Sequence, residues 1–108
     1  MSSGVLEKHL DIISGNPVAE SKSIEGYEGK AYTTNEKEIE GYKIATNKDY
    51  YEMLAKEDEN FLSDNGVSSV EEYLQNNSII ASENYIPDNK EGTMTDSLIE
   101  VKYYYVPK

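Results

Sequence analysis

The sequence predicts an α+β domain with a mostly β frame, and three observations carry that expectation. The chain closes on Ile99-Glu100-Val101-Lys102-Tyr103-Tyr104-Tyr105, where Ile, Val, Tyr and Tyr hold the odd positions and Glu100 and Lys102 point the other way. Alternation of this kind marks a half-buried strand, and β-branched and aromatic residues suit its pleated surface. Val5 to Ile12 reads as another strand, with Leu6, Leu10 and Ile12 on one face. Between them, over about 46–86, the period changes: Tyr50, Met53, Leu54 and then Val70, Tyr73, Leu74 recur at i, i+3, i+4, an apolar helical stripe.

The remaining elements follow from local chemistry. Ser14-Gly15-Asn16-Pro17 is a turn, since Gly and Asn tolerate positive φ and Pro presets its own. Val18 to Ile24 then returns as the partner strand of a hairpin, polar and weakly patterned as a sheet edge is. Glu36 to Ala45 reads as a further strand whose phase changes midway, because Ile39 is odd while Tyr42 and Ile44 are even. Gly41 sits at that switch, which predicts a β-bulge. Asp49-Tyr50-Tyr51-Glu52 and Ser69-Val70-Glu71-Glu72 fit capping boxes, and Ser63-Asp64-Asn65-Gly66 fits the turn between two helices. Each helix is shorter than the roughly 12–15 residues that stand alone in water, so both must dock on the sheet.

Composition narrows the function classes. The 108 residues carry a formal net charge of -11, from 21 acidic and 10 basic side chains, and every basic one is Lys. Nucleic-acid binders gain affinity by neutralising phosphates, so this charge repels such a partner, and it repels an anionic membrane surface equally. The mean hydropathy is -0.72, and the longest apolar run, Tyr103 to Val106, spans four residues, so membrane insertion is not expected. Cysteine is absent, which removes disulfides, thiolate metal sites and a Cys nucleophile. Met1-Ser2-Ser3-Gly4 has neither the charged nor the apolar region of a signal peptide and reads as an appended start, leaving 5–108 as a single domain. With its abrupt end at Pro107-Lys108, the sequence reads as a piece of a longer protein.

No catalytic or cofactor-binding constellation emerges. His9 is the only histidine; without a second His or a Cys it founds no zinc site, and packing in a strand is its expected role. The acidic clusters at Glu57-Asp58-Glu59, Asp64-Asn65 and Asp88-Asn89-Lys90-Glu91 lack the spacing of a calcium loop and read as solvated faces. Paired carboxylates for glycoside hydrolysis need a deep cleft, which a core this small does not build. A Lys–Asn isopeptide cross-link would need a buried Lys, Asn and acid together. The compositional oddity is ten tyrosines. Tyr32, Tyr42, Tyr103 and Tyr105 are expected to fill the core and its rim. Tyr51, Tyr73, Tyr85 and Tyr104 are freer, and as rigid aromatic groups with a hydroxyl they are the candidate ligand-binding residues.

Several ordered segments resemble the MucBP (mucin-binding protein) domains of Gram-positive surface proteins. Ala31-Tyr32-Thr33-Thr34 through Gly41-Tyr42-Lys43 is similar to the centre of that repeat, with its Tyr-Thr pair and following Gly-Tyr. Upstream, His9-Leu10-Asp11 and Ser14-Gly15, then Ile24 and Gly29, resemble its first strand and turn. Downstream, Pro87-Asp88-Asn89 through Gly92-Thr93-Met94-Thr95-Asp96 resembles its Pro-x-Asn-x-x-Gly-x-apolar-Thr-Asp segment, and Val101 to Tyr105 its closing strand. Two departures stand out: Glu7 occupies a usually apolar place, and about 46–86 reads as an insertion absent from the common short form. The resemblance implies a β-grasp (ubiquitin-like) fold in tandem, wall-anchored, extracellular modules with an adhesion or spacer role. It further implies mucin or another glycoprotein as ligand, and neighbouring modules of the same chain as partners. The negative charge would keep copies monomeric. Two alternatives remain: a protein-interaction module that uses the 46–86 segment, and an accessory domain of a larger secreted enzyme.

Overall fold

The computed structural model describes residues 3–108; the first two residues of the expected appended start, Met1 and Ser2, lie outside the described residues. The architecture is α+β, with a mostly antiparallel sheet and three short helices. Strands β1 (Ser3–Asp11) and β2 (Pro17–Gly26) form the expected hairpin. They are followed by β3 (Ala31–Thr33), β4 (Tyr42–Ile44), α1 (Asn47–Glu57), α2 (Phe61–Asp64), α3 (Val70–Asn76), β5 (Glu91–Thr93) and β6 (Leu98–Pro107). Ser3 and Gly4 already pair with Gly26 and Glu25, so the first strand begins before the expected Val5.

The main sheet has the order β2-β1-β6-β4, and β3 pairs with β5 in a separate two-stranded ribbon. The closing strand lies at the centre, and its alternation gives one buried face, Val101, Tyr103 and Tyr105, with Glu100 and Lys102 exposed on the other. It runs parallel to β1, from Gly4 beside Leu98 to Asp11 beside Tyr105. The core is Val5, Met94, Val101, Tyr103 and Tyr105, flanked by Ile24, Tyr32, Ile39, Tyr42 and Ile44. It therefore lies between the odd face of the central strands and the β3–β5 ribbon.

On β1 the core face is the odd one, Val5, Glu7 and His9, whereas Leu6 and Leu10 are only half-buried on the opposite face. Hydrophobicity alone points to the leucine face. The buried acid and imidazole are tolerated because their polar atoms are matched: His9 Nε2 meets Glu7 Oε2 at 2.9 Å, and His9 Nδ1 meets the Tyr105 hydroxyl at 2.7 Å. The Asn35 backbone N–H donates to Glu7 Oε1 at 3.0 Å, and the Lys37 backbone N–H donates to the Tyr105 hydroxyl at 2.9 Å. Each ring nitrogen thus has a partner, and both Glu7 oxygens and the Tyr105 hydroxyl are engaged. Burying a charge without such partners is costly.

Four local expectations are corrected. Residues 36–41 are not strand: the chain turns there, with the Tyr42 N–H donating to the Ile39 carbonyl at 3.1 Å and Gly41 at φ 83°, and only Tyr42–Ile44 joins the sheet. The phase change at Gly41 is therefore a tight turn that needs positive φ, not a bulge. Helix α1 is capped by Thr46 rather than Asp49; the Asp49 N–H donates to Thr46 Oγ1 at 3.2 Å and the Thr46 N–H donates to Asp49 Oδ2 at 3.0 Å. Between the two expected helices the chain makes a further single turn, α2, where a plain turn was read. Ser69 caps α3, accepting from the Glu72 N–H at 3.1 Å, but the expected box is not closed: the Glu72 carboxylate accepts from the Ser68 hydroxyl at 3.3 Å instead.

The residues that carry the family resemblance tie the ribbon to the sheet. Thr34, 1 % exposed, donates from Oγ1 to the Lys90 carbonyl at 2.7 Å and meets the Tyr103 hydroxyl at 2.8 Å. Asn89 Nδ2 donates to the Glu100 carbonyl at 2.9 Å, and the Tyr32 hydroxyl donates to the Asn89 carbonyl at 2.9 Å. Gly26 marks a close approach: a Cβ there would lie 2.6 Å from Met94 Sδ. These segments hold the fold in register.

Candidate functional site

Helices α1 and α3 carry few buried residues, only Val70 and Leu74, so packing of an apolar stripe alone does not fix them. Aromatic contacts do. Tyr50 stacks on Tyr85 with ring centroids 3.6 Å apart and 11° between planes, and it tilts against Tyr104 of β6 at 5.7 Å. Tyr50 meets Tyr51 edge-on at 5.1 Å, Tyr51 meets Tyr73 at 5.2 Å, and Tyr73 meets Phe61 of α2 at 5.0 Å. The tilted and edge-on pairs, with centroids 5.0–5.7 Å apart, add roughly 0.5–1.5 kcal/mol each beyond area burial. The segment is fixed further by the backbone, since the Ala45 N–H donates to the Tyr104 carbonyl and the Tyr85 N–H donates to the Ala45 carbonyl, both at 2.9 Å.

The four candidate tyrosines, Tyr51, Tyr73, Tyr85 and Tyr104, thus belong to one continuous aromatic array. They are not free surface side chains: each is half-buried. Burial raises the Tyr51 and Tyr104 hydroxyl pKa values above the ordinary value, with neighbouring tyrosines adding to the effect. Tyr85 is raised furthest, first by burial and then by the adjacent Tyr50 hydroxyl. The sequence reading missed Tyr50, the ring that joins the two halves. Its i, i+3, i+4 relation to Met53 and Leu54 assigned it to a helical stripe; the adjacent pair Tyr50-Tyr51 was the available signal that one of them faces elsewhere.

The array divides into two regions. Tyr51 and Tyr73 lie with Phe61 among the helices, away from the sheet. Tyr85 and Tyr104, with Tyr50 and Pro87, line an open depression of about 400 Å³ that Asn89, Glu100 and Lys102 border. The Lys8 ammonium pairs with Glu100 and holds its carboxyl below the usual range. Among the described residues Lys102 makes no salt bridge, so its ammonium remains available at the rim. The depression offers flat aromatic surface beside donors and acceptors, the combination that recognises a polar ligand with apolar faces.

Other groups weighed from the sequence fall into structural places. His9 is 1 % exposed and fully engaged with Glu7 and Tyr105, closed to any substrate. Among the described residues no three His, Cys, Asp or Glu side chains gather as for a metal ion. No described lysine is buried, so the Lys–Asn–acid arrangement of an isopeptide is not assembled among the described residues. No helix of the described residues is long and apolar enough to cross a membrane.

The unit is small and sheet-based, with an open tyrosine-lined depression on one face. The chain belongs to the MucBP domain family, whose model matches residues 5–106, nearly its whole length and including the helical segment. This is a binding and adhesion family rather than an enzyme family, and its domains occur on extracellular surface proteins. A search of the curated proteins finds no match.

Proposed function

We propose that the domain is a non-catalytic, cell-wall-associated extracellular adhesion and spacer module of a Gram-positive surface protein, contacting mucin or another glycoprotein. The observation that carries the ligand reading is the depression lined by Tyr50, Tyr85 and Tyr104 and bordered by Asn89, Glu100 and Lys102. Pyranose rings present apolar faces that stack on tyrosine, while their hydroxyls take up the neighbouring polar groups. Tyr51 and Tyr73 then act in this reading by holding the helices behind the site rather than by touching ligand.

The spacer reading is supported by the parallel β1–β6 pair. β6 begins where β1 begins and leaves at the other end, so a chain threading the module advances by about 33 Å, ten strand residues at about 3.3 Å each. The radius of gyration of 15.3 Å exceeds the roughly 13 Å of a compact chain of this length, in line with an elongated unit. The order β2-β1-β6-β4 with its central parallel pair also supports a β-grasp reading, although the ribbon β3–β5 occupies the face where that fold carries its helix. As a unit of charge -11 with a guarded sheet edge, it works as a monomer beside neighbouring modules.

Titrating the 15N-labelled domain with a mucin glycopeptide tests the site. Shifts should centre on Tyr85, Asn89, Lys102 and Tyr104, vanish with the deglycosylated peptide, and weaken about fivefold or more in Lys102→Ala, whose exposed side chain is dispensable for folding. Shifts centred elsewhere, or affinity unchanged in Lys102→Ala and Tyr85→Leu, would count against it.

A further inference from the structure

A second concave surface lies apart from the tyrosine-lined depression, where β6 ends. Ile12, Met53 and Val106 floor a groove of about 540 Å³ between the β1–β2 turn and α1. Ile13 stands at its edge, 80 % exposed. That side chain is not on a loose tip. Asp11 Oδ1 accepts from the N–H groups of Ile13 at 2.7 Å and Ser14 at 3.2 Å. Asp11 N–H donates to the Asn16 carbonyl and Gly15 N–H donates to the Asp11 carbonyl, both at 2.8 Å. An isoleucine held outward by a hydrogen-bonded turn is a preformed anchor, and preorganisation lowers the cost of binding.

The rim gives the sign of the partner. Asp49, Glu52 and Glu57 border the groove, with Lys56 as the only lining cation. Glu52 reaches Lys48 at 3.7 Å, but both side chains are half exposed, and such pairs contribute little. Glu57 makes no salt bridge among the described residues. We propose that this groove docks a cationic amphipathic segment of another protein. Its bulky apolar side chains enter between Ile13 and Met53, and its Lys or Arg groups face Glu52 and Glu57. A second copy of this chain is the poorer occupant because it brings the same charge of -11 to the contact. The inference does not depend on glycoprotein binding.

The probe is a synthetic amphipathic Leu/Lys peptide of about 18 residues, long enough for a helix-in-groove contact, with a Leu/Glu peptide as control. The 15N-labelled domain should show shifts at Ile12, Ile13, Met53, Glu57 and Val106 with Leu/Lys only, while Tyr85 and Tyr104 stay unmoved. Apparent affinity should fall about tenfold or more between roughly 50 and 500 mM salt. Ile13→Ser and Glu57→Lys, both at exposed positions and so tolerated by the fold, should each weaken binding about fivefold or more. The proposal is overturned by absence of binding, by shifts spread over every acidic face, or by undiminished affinity in Ile13→Ser. Concentration-dependent shifts in the groove without peptide would overturn it too, by assigning the surface to a second copy.

Discussion

Glu7 and His9 occupy the buried face of β1, where an apolar pair would be simpler, and their energetic role can be separated by substitution. Replacing His9 by Leu leaves the buried Glu7 carboxyl with the Asn35 N–H as its remaining partner, and should cost about 1–3 kcal/mol in urea unfolding. The double replacement Glu7→Leu/His9→Leu removes the stranded carboxyl along with its partner, and should be less damaging than His9→Leu alone. A double variant as unstable as the sum of its singles would show that the pair is not coupled. The tyrosines supply a pH signature. Burial, partly opposed by the Lys37 N–H bond, pushes the Tyr105 hydroxyl up to about 12, and Tyr51, Tyr85, Tyr103 and Tyr104 are raised too. A phenol raised in the folded state binds its proton more tightly there, so its contribution is intact below about pH 10 and is lost as pH climbs through the folded value. Stability followed by circular dichroism should therefore be flat up to about pH 10 and fall between there and about 12. A loss beginning near neutrality would contradict it.

Among the elements, the helical segment is the most conditionally held. Thr46→Ala removes the α1 cap and should cost about 1 kcal/mol in urea unfolding. Tyr50→Ala removes the ring that joins α1 to Tyr85 and Tyr104. In hydrogen exchange, residues 47–76 should then lose protection while β1 and β6 keep theirs, because the core lies on the opposite face of the sheet. Joint collapse of both regions would show that the segment is part of the main cooperative unit. Gly41→Val forces a β-branched residue to φ 83° and should destabilise by about 1–3 kcal/mol; unchanged melting would mean the turn relaxes freely. At this scale the sequence was readable where periodicity was long. The seven-residue alternation from Ile99 to Tyr105 located the central strand, and Ser69 located a cap. It was unreadable where elements are three or four residues, as in β3, β5 and α2, which are too short to show a period. The buried face of β1 was obscured because Leu6 and Leu10 outweigh Glu7 and His9 on any hydropathy scale, while hydrogen bonding decides the matter. Of the candidate site, Tyr85 and Tyr104 were legible as surplus tyrosines, but their meeting with Asn89 and Lys102 depends on strand order, which no local pattern encodes.

The whole molecule is organised by the direction of two strands. A parallel pair needs a long crossover, and residues 12–97 supply one that carries the edge strand, the ribbon and the helices. The exposed edge of β2 is blunted: Glu20 and Ser21 together oppose the single residue Lys8, the bulge expected of a guarded edge, and Pro17 begins the strand. Light scattering should accordingly report a monomer at physiological salt. Because β1 and β6 run the same way, the two ends of the domain lie at opposite poles, which is the property that lets a module lengthen a stalk. Nitroxide labels on Ser3 and Lys108, read by pulsed dipolar spectroscopy, measure it directly. Parallel pairing places them about 30 Å apart or more, from ten strand residues at about 3.3 Å each. A main separation below about 15 Å, as adjacent ends of an antiparallel pair would give, contradicts the central strand order and the proposed spacer role with it.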